Sequence, residues 1–197
     1  MGMKSLKELF RIGYGPSSSH TMGPRSAAEA YAKRHPEAKH FKVTLYGSLA
    51  ATGKGHLTDA AILEVLGLER TQIQWCPDIE LPFHPNGMKF EVVGDDDSLH
   101  DAWTVYSVGG GALAEEGEGE FSSPDVYDLD HLNDIMAWCS SRGMDYWNYV
   151  DHCEGSDIWD YLRYVWQVMK EAVERGLEHE GVLPGGLNLQ RKAPRDY

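Results

Sequence analysis

Apolar and polar positions along the chain follow two different rhythms, which change over near residue 118. Before it the elements are short and alternate in kind. Residues 24–34 read as an Ala-rich helix opening at Pro24, a favourable first helical position. Lys42-Val-Thr-Leu-Tyr46 alternates with a period of two and predicts a strand ended by Gly47. Thr58–Leu66 predicts a helix, with Thr58 as a plausible N-cap and Gly67 as the stop. Gln72–Trp75, Met88–Val93 and Trp103–Val108 read as further strands, the last two paired as an antiparallel hairpin across Gly94–Ser98. The fold class expected is α+β: a mostly antiparallel sheet with helices in the first domain, followed by a helical segment.

After the change the spacing becomes helical. Residues 119–128 are acidic and turn-rich and read as a linker or loop, and helical periodicity then runs through 129–180. In the last helix Ile158, Leu162, Val165, Trp166, Met169 and Val173 recur at three- and four-residue steps and predict one buried face. The dense aromatic group of this region (Trp138, Tyr146, Trp147, Tyr149, Trp159, Tyr161, Tyr164, Trp166) predicts core or interdomain packing. The tail from Gly181 carries Gly/Pro turns and stops without a closing element, as a cut chain would.

Composition narrows the function. The 197 residues are 42% hydrophobic, enough for a packed core, and the formal charge of −13 argues against nucleic acid or an anionic membrane as partner. No apolar run reaches the ~20 residues that span a bilayer, and the start lacks the apolar stretch of a secretory signal. Three widely spaced cysteines, Cys76, Cys139 and Cys153, exclude a disulfide framework and fit a reducing cytoplasm. No spacing suggests a closed zinc site or a mononuclear metal.

Gly15-Pro-Ser-Ser-Ser-His-Thr-Met-Gly-Pro24 is the segment richest in chemistry. Free N–H groups and the positive end of a helix dipole favour an anion there, and hydroxyls of Ser17, Ser18, Ser19 and Thr21 could add hydrogen bonds. Plain capping needs only one of them. Gly47–Gly55 imitates a phosphate loop but has the wrong glycine spacing and lacks the final Ser or Thr, so nucleotide binding is not expected. Its glycines let the chain turn sharply after a strand and expose His56 and Thr58 at the next helix start, or else Thr58 simply caps that helix and His56 is a surface residue. His84 and Asn86 lie in a Pro/Gly turn, and Ser107 precedes three glycines where a backbone could approach a small ligand. His20 and His56 are the candidates for proton transfer, since imidazole titrates near neutrality.

The decapeptide resembles the opening motif of the iron–sulfur L-serine dehydratases. Tyr46-Gly-Ser-Leu-Ala-Ala-Thr-Gly-Lys-Gly-His-Leu-Thr-Asp59, His84-Pro-Asn-Gly-Met88 and Tyr106-Ser-Val-Gly-Gly-Gly111 resemble that family too, and Gly181-Val-Leu-Pro-Gly185 is similar to the junction where its catalytic α domain begins. The resemblance implies a β-type domain over 1–118 and the start of a truncated α domain at 181–197. It implies conversion of L-serine to pyruvate and ammonia, with the serine-rich loop (Ser17, Ser18, Ser19, Thr21) and His56, Thr58, His84, Asn86 and Ser107 around the substrate, and His56 and His20, chosen for their imidazoles, as the catalytic residues. The family's 4Fe-4S cluster would take its ligands from outside this chain, so the fragment alone is expected to bind none and to be inactive. The implied partners are L-serine, the α domain of the same polypeptide and a second copy in a homodimer. The substrate face is expected to lie open where the α domain would cover it. An amino-acid or small-anion regulatory module is the main alternative. A pyridoxal phosphate enzyme using Lys54 is a weaker one, since Lys54 sits between two glycines on a turn.

Overall fold

A computed structural model describes residues 2–96, 98–117, 119–120 (main chain only), 124–184 and 188–196. Parts of the acidic segment (118, 121–123) and of the glycine-rich tail (185–187) lie outside the described residues. In chain order the elements are α1 (Leu6–Leu9), a π-helical turn (Ser18–Met22), α2 (Gly23–Arg34), β1 (His40–Tyr46), α3 (Gly47–Thr52), α4 (Thr58–Leu66), β2 (Thr71–Cys76), β3 (Gly87–Val93), β4 (Leu99–Gly109), β5 (Ala112–Glu115), β6 (Gly119–Glu120), α5 (Leu132–Arg142), α6 (Tyr146–Glu154), α7 (Asp157–Glu178) and α8 (Ala193–Asp196). They divide into two compact units.

One unit comprises residues 13–121 and 182–189. Its sheet has the order β2-β1-β3-β4-β5-β6, with β1 and β2 parallel and every other neighbouring pair antiparallel, so the α+β class with a mostly antiparallel sheet holds. Period-two alternation brings Phe41, Val43 and Leu45 of β1, Met88, Phe90 and Val92 of β3, and Trp103 and Val105 of β4 into one core. Ala27, Ala28 and Tyr31 of α2 and Ile62 and Leu66 of α4 join that core. The β3–β4 hairpin forms as expected, with a register shift at Val92/Val93. Leu45 is fully buried, so Leu45→Ala should cost about 2–5 kcal/mol by loss of transfer energy and a residual cavity. A urea midpoint close to wild type would show that this face is loosely packed.

The other unit comprises residues 1–12, 122–181 and 190–197. The three helices α5–α7 form close to where helical spacing predicts them. Tyr127, Cys139 and Tyr149 make a small core flanked by Trp138, and Glu154 ties it to the chain start by accepting from the Ser5 hydroxyl (2.7 Å) and the Tyr127 hydroxyl (2.9 Å). The expected apolar face of α7 is buried only at its beginning. Ile158 is covered and Leu162 and Val165 are half-buried, whereas Trp166, Met169 and Val173 are exposed, as are Tyr146, Trp147 and Tyr164. The stripe is longer than the small helical cluster packed against its first turns. Among the described residues, no helix is long and apolar enough to cross a membrane.

Candidate active site

Sequence spacing places a loop before α2, but the helix begins earlier. Residues 18–22 form a π-helical turn that runs directly into α2, so Pro24 lies inside a continuous helical path. Ser17 caps this turn: its hydroxyl accepts from the His20 amide at 3.1 Å, and its carbonyl accepts from the amides of Thr21 and Met22. Among the described residues no hydrogen bond reaches the amides of Ser18 and Ser19 at the helix start. Ser19 Oγ lies 3.5 Å from Ser17 Oγ and 2.9 Å from His20 Nδ1. Ser18 is exposed, and no described residue bonds its hydroxyl. Thr21 is buried, with its hydroxyl donating to the His56 carbonyl at 2.7 Å.

The glycine-rich stretch after β1 is not a phosphate loop. Residues 47–52 form α3, because Ser-Leu-Ala-Ala-Thr contains no helix breaker and Leu49 and Ala50 bury against the sheet. The turn after α3 presents His56, whose Nδ1 lies 3.0 Å from the Thr52 carbonyl. Thr58 does not cap α4. Leu57 occupies the cap position in a left-handed conformation, and Thr58, fully buried, bonds the His20 carbonyl through its hydroxyl. The imidazoles of His20 and His56 thereby face each other with centroids 4.9 Å apart and a tilt of 37°.

Asn86 and Ser107 pair across β3 and β4. Asn86 Nδ2 donates to the Ser107 carbonyl (3.2 Å), and the Ser107 amide donates to the Asn86 carbonyl (3.0 Å). Ser107 is fully buried, and its hydroxyl has no partner among the described residues. That hydroxyl presses on Gly23, where a Cβ would collide with it, so the strand end abuts the helix start. Of the glycines after Ser107, Gly109 has open space where a Cβ would stand, with nothing within 4 Å, whereas Gly111 does not. A Cβ on Gly111 would strike the end of the Met22 side chain, which fills that space. His84 Nδ1 accepts from the Asn86 amide (3.1 Å), and its ring has no described contact with His20 or His56.

Sequence reasoning missed Ser48. Its hydroxyl lies 3.1 Å from His20 Nε2, and its amide donates to the Pro85 carbonyl (3.1 Å), joining three of the predicted segments. The signal was present, since Ser48 stands inside the quoted glycine motif, but reading Gly47 as a turn concealed the helix that aims it. The expectation of a bare face also changes. A cavity of about 440 Å³ beside His56 is lined by Gly15, Pro16 and Leu57 and walled by Leu183, Pro184 and Leu189 of the chain's own tail.

Burial first, and the proximity of His56 second, hold the His20 imidazole below its usual 6.5, with the hydrogen bond to Ser48 opposing them. Its folded pKa is depressed, so the unfolded chain binds more protons as pH falls through 6.5. The stabilisation from a neutral His20 is therefore present above that value and lost on acidification. The urea midpoint should fall between pH 7.5 and pH 5.5, and His20→Asn should reduce that fall. An undiminished fall would assign the acid sensitivity to other groups.

The cysteines do not fit an iron–sulfur cluster, which needs thiolate ligands. Cys139 is buried, burial pushes the Cys153 thiol up and so disfavours its thiolate, and Cys76 ends β2 in the other unit. Among the described residues no group of three or more His, Cys, Asp or Glu could hold a metal ion.

The His20 and His56 turns are tied to each other, and Ser48 and Ser107 link them to the 85–86 turn and the end of β4. The serine dehydratase beta chain family matches residues 5–77 and 64–118, and the chain belongs to that family. Among individual proteins, it is 33% identical to L-serine dehydratase TdcG of Escherichia coli (strain K12) over 97% of this chain and 53% of the relative. It is 31% identical to L-serine dehydratase 1 of the same organism, again over 97% and 53%. An L-serine dehydratase of Mycobacterium bovis is 32% identical over 96% of this chain and 52% of the relative. The chain spans about half the length of the curated relatives it matches.

Proposed function

We propose that this chain supplies the substrate-binding and proton-transfer half of an L-serine dehydratase, which converts L-serine to pyruvate and ammonia in the cytoplasm. The observation that carries this reading is the interlock of the serine run, the His56 turn, the Asn86 turn and the end of β4 around the 4.9 Å histidine pair. Sequence proximity does not account for it, because the members lie up to 90 residues apart, from Ser17 to Ser107.

The substrate carboxylate is taken at the start of the π-helical turn by the Ser18 and Ser19 amides and the exposed Ser18 hydroxyl. His56 removes the Cα proton as hydroxide leaves the β carbon, giving an aminoacrylate that tautomerises to the imine and hydrolyses to pyruvate and ammonia. His20, held neutral at physiological pH, orients its neighbour without placing a second positive charge beside it. Assistance to the departing hydroxide belongs to the part of the enzyme outside this chain, as do the ligands of the family's cluster. In the dehydratase that contains this chain, anaerobic assay with L-serine should yield pyruvate and ammonia in equal amounts. An enzyme that binds L-serine without turnover would instead make the unit a regulatory module.

A further inference from the structure

Both site histidines are held from one short helix. Ser48, near the start of α3, approaches His20 Nε2 at 3.1 Å. One turn later the Thr52 carbonyl approaches His56 Nδ1 at 3.0 Å, and the Thr52 hydroxyl donates back to the Ser48 carbonyl at 3.0 Å. The Ser48 amide fastens the same helix to the turn carrying His84 and Asn86 through the Pro85 carbonyl. Gly47 permits this docking. Its φ is +47°, and a Cβ there would stand 2.6 Å from the Pro85 carbonyl oxygen.

A carbonyl oxygen has no proton to give, so the contact with Thr52 has only one sense: Nδ1 of His56 is the donor. A neutral imidazole carries one N–H, which leaves the lone pair on Nε2. Among the described residues no hydrogen bond reaches His56 Nε2, and the ring borders the 440 Å³ cavity. The His20 ring, by contrast, is pinned at both nitrogens, by Ser48 Oγ and by Ser19 Oγ at 2.9 Å.

We propose that Ser48 and Thr52 are positioning residues for the histidine pair: the Thr52 carbonyl fixes His56 as the Nδ1–H tautomer with Nε2 as the proton acceptor, and the Ser48 hydroxyl pins His20 against it. The inference rests on the reading of His56 as the base and names the nitrogen that acts. A carbonyl partner for one imidazole nitrogen sets the chemistry of the other, and losing such a support misaims the ring without removing it.

Two-bond ¹H–¹⁵N correlation spectra of the chain, without substrate, read the tautomers directly. His56 should show a single tautomer protonated at Nδ1. A tautomer protonated at Nε2, or an average of the two, would overturn the role of Thr52, and this measurement needs no variant. In Ser48→Ala the His20 ring should change from one pinned pattern to averaged exchange while His56 keeps its tautomer, and Ser48→Thr, which retains a hydroxyl, should restore the pinned pattern. In the holoenzyme Ser48→Ala should lower kcat about 10- to 100-fold with KM little changed. A His20 pattern unaltered in Ser48→Ala would overturn the role of Ser48. Failure of the dehydratase reading looks different: tautomers as stated, with no turnover of L-serine in the holoenzyme.

Discussion

His56→Ala in the dehydratase containing this chain should lower kcat for pyruvate formation by about 10²–10⁴-fold, the usual contribution of a positioned general base. Stability should change by less than about 0.5 kcal/mol, as for a substitution outside the core. His56 is half-buried on a turn and its ring is bonded to the Thr52 carbonyl at the surface. The contact that does matter structurally is made by its main-chain carbonyl with Thr21, and alanine keeps that carbonyl. Steady-state kinetics and a urea midpoint on the same preparation separate the two effects. Near-normal kcat would remove His56 from proton transfer, and a large drop in midpoint would make it a structural residue.

Gly47→Ala should damage both stability and turnover. The residue lies in the left-handed region at φ +47°, which costs a non-glycine residue about 1–2 kcal/mol. The added Cβ would also press on a backbone oxygen, that of Pro85, at 2.6 Å, and overpacking of this kind costs about 1–3 kcal/mol. The strain is relieved by parting α3 from the 85–86 turn, which breaks the Ser48–Pro85 bond and shifts the Ser48 hydroxyl from His20. Thermal denaturation and kcat should therefore fall together, whereas Ala51→Gly on the exposed side of the same helix should lower stability by about 1 kcal/mol at most and spare kcat. Wild-type behaviour of Gly47→Ala would show that the docking of α3 is dispensable.

The strands of the main unit were legible because each buries one face, which writes period two into Phe41-Val43-Leu45 and Met88-Phe90-Val92. Shorter elements were not. The first turn of helix at Ser18–Met22 is made of Ser, His and Thr, residues that favour caps and turns by propensity, and it forms because Thr21 and Thr58 tie it to the His56 turn and to α4. Residues 47–52 hide a helix behind a leading glycine. Strand β5 is only Ala112–Glu115, too short for alternation to register.

The candidate site was legible as a set of segments but not as a geometry. Motif resemblance named His20, His56, Asn86 and Ser107, yet nothing in spacing shows that Ser107 seats on Gly23 or that the Met22 side chain occupies the space beside Gly111. Those are contacts between distant parts of the chain, fixed by the β3–β4 register and by the approach of the π-helical turn to β4. The half-exposed helix α7 is the opposite case. Its apolar period is plain in the sequence, but periodicity carries no information about how far along the helix a partner extends.

The central claim is that the interlocked turns form one site for L-serine. Titration of L-serine into the ¹⁵N-labelled chain tests it most directly, because all four turns lie in one compact unit of this chain. The amides of residues 17–21, 55–58, 84, 86, 87 and 106–108 should shift together along one saturable curve, with glycine, which lacks the hydroxymethyl group, binding more weakly. Shifts confined to the opposite end of the sheet around His40, Arg70 and Asp95, or no saturable shift at any of the four turns, would contradict it.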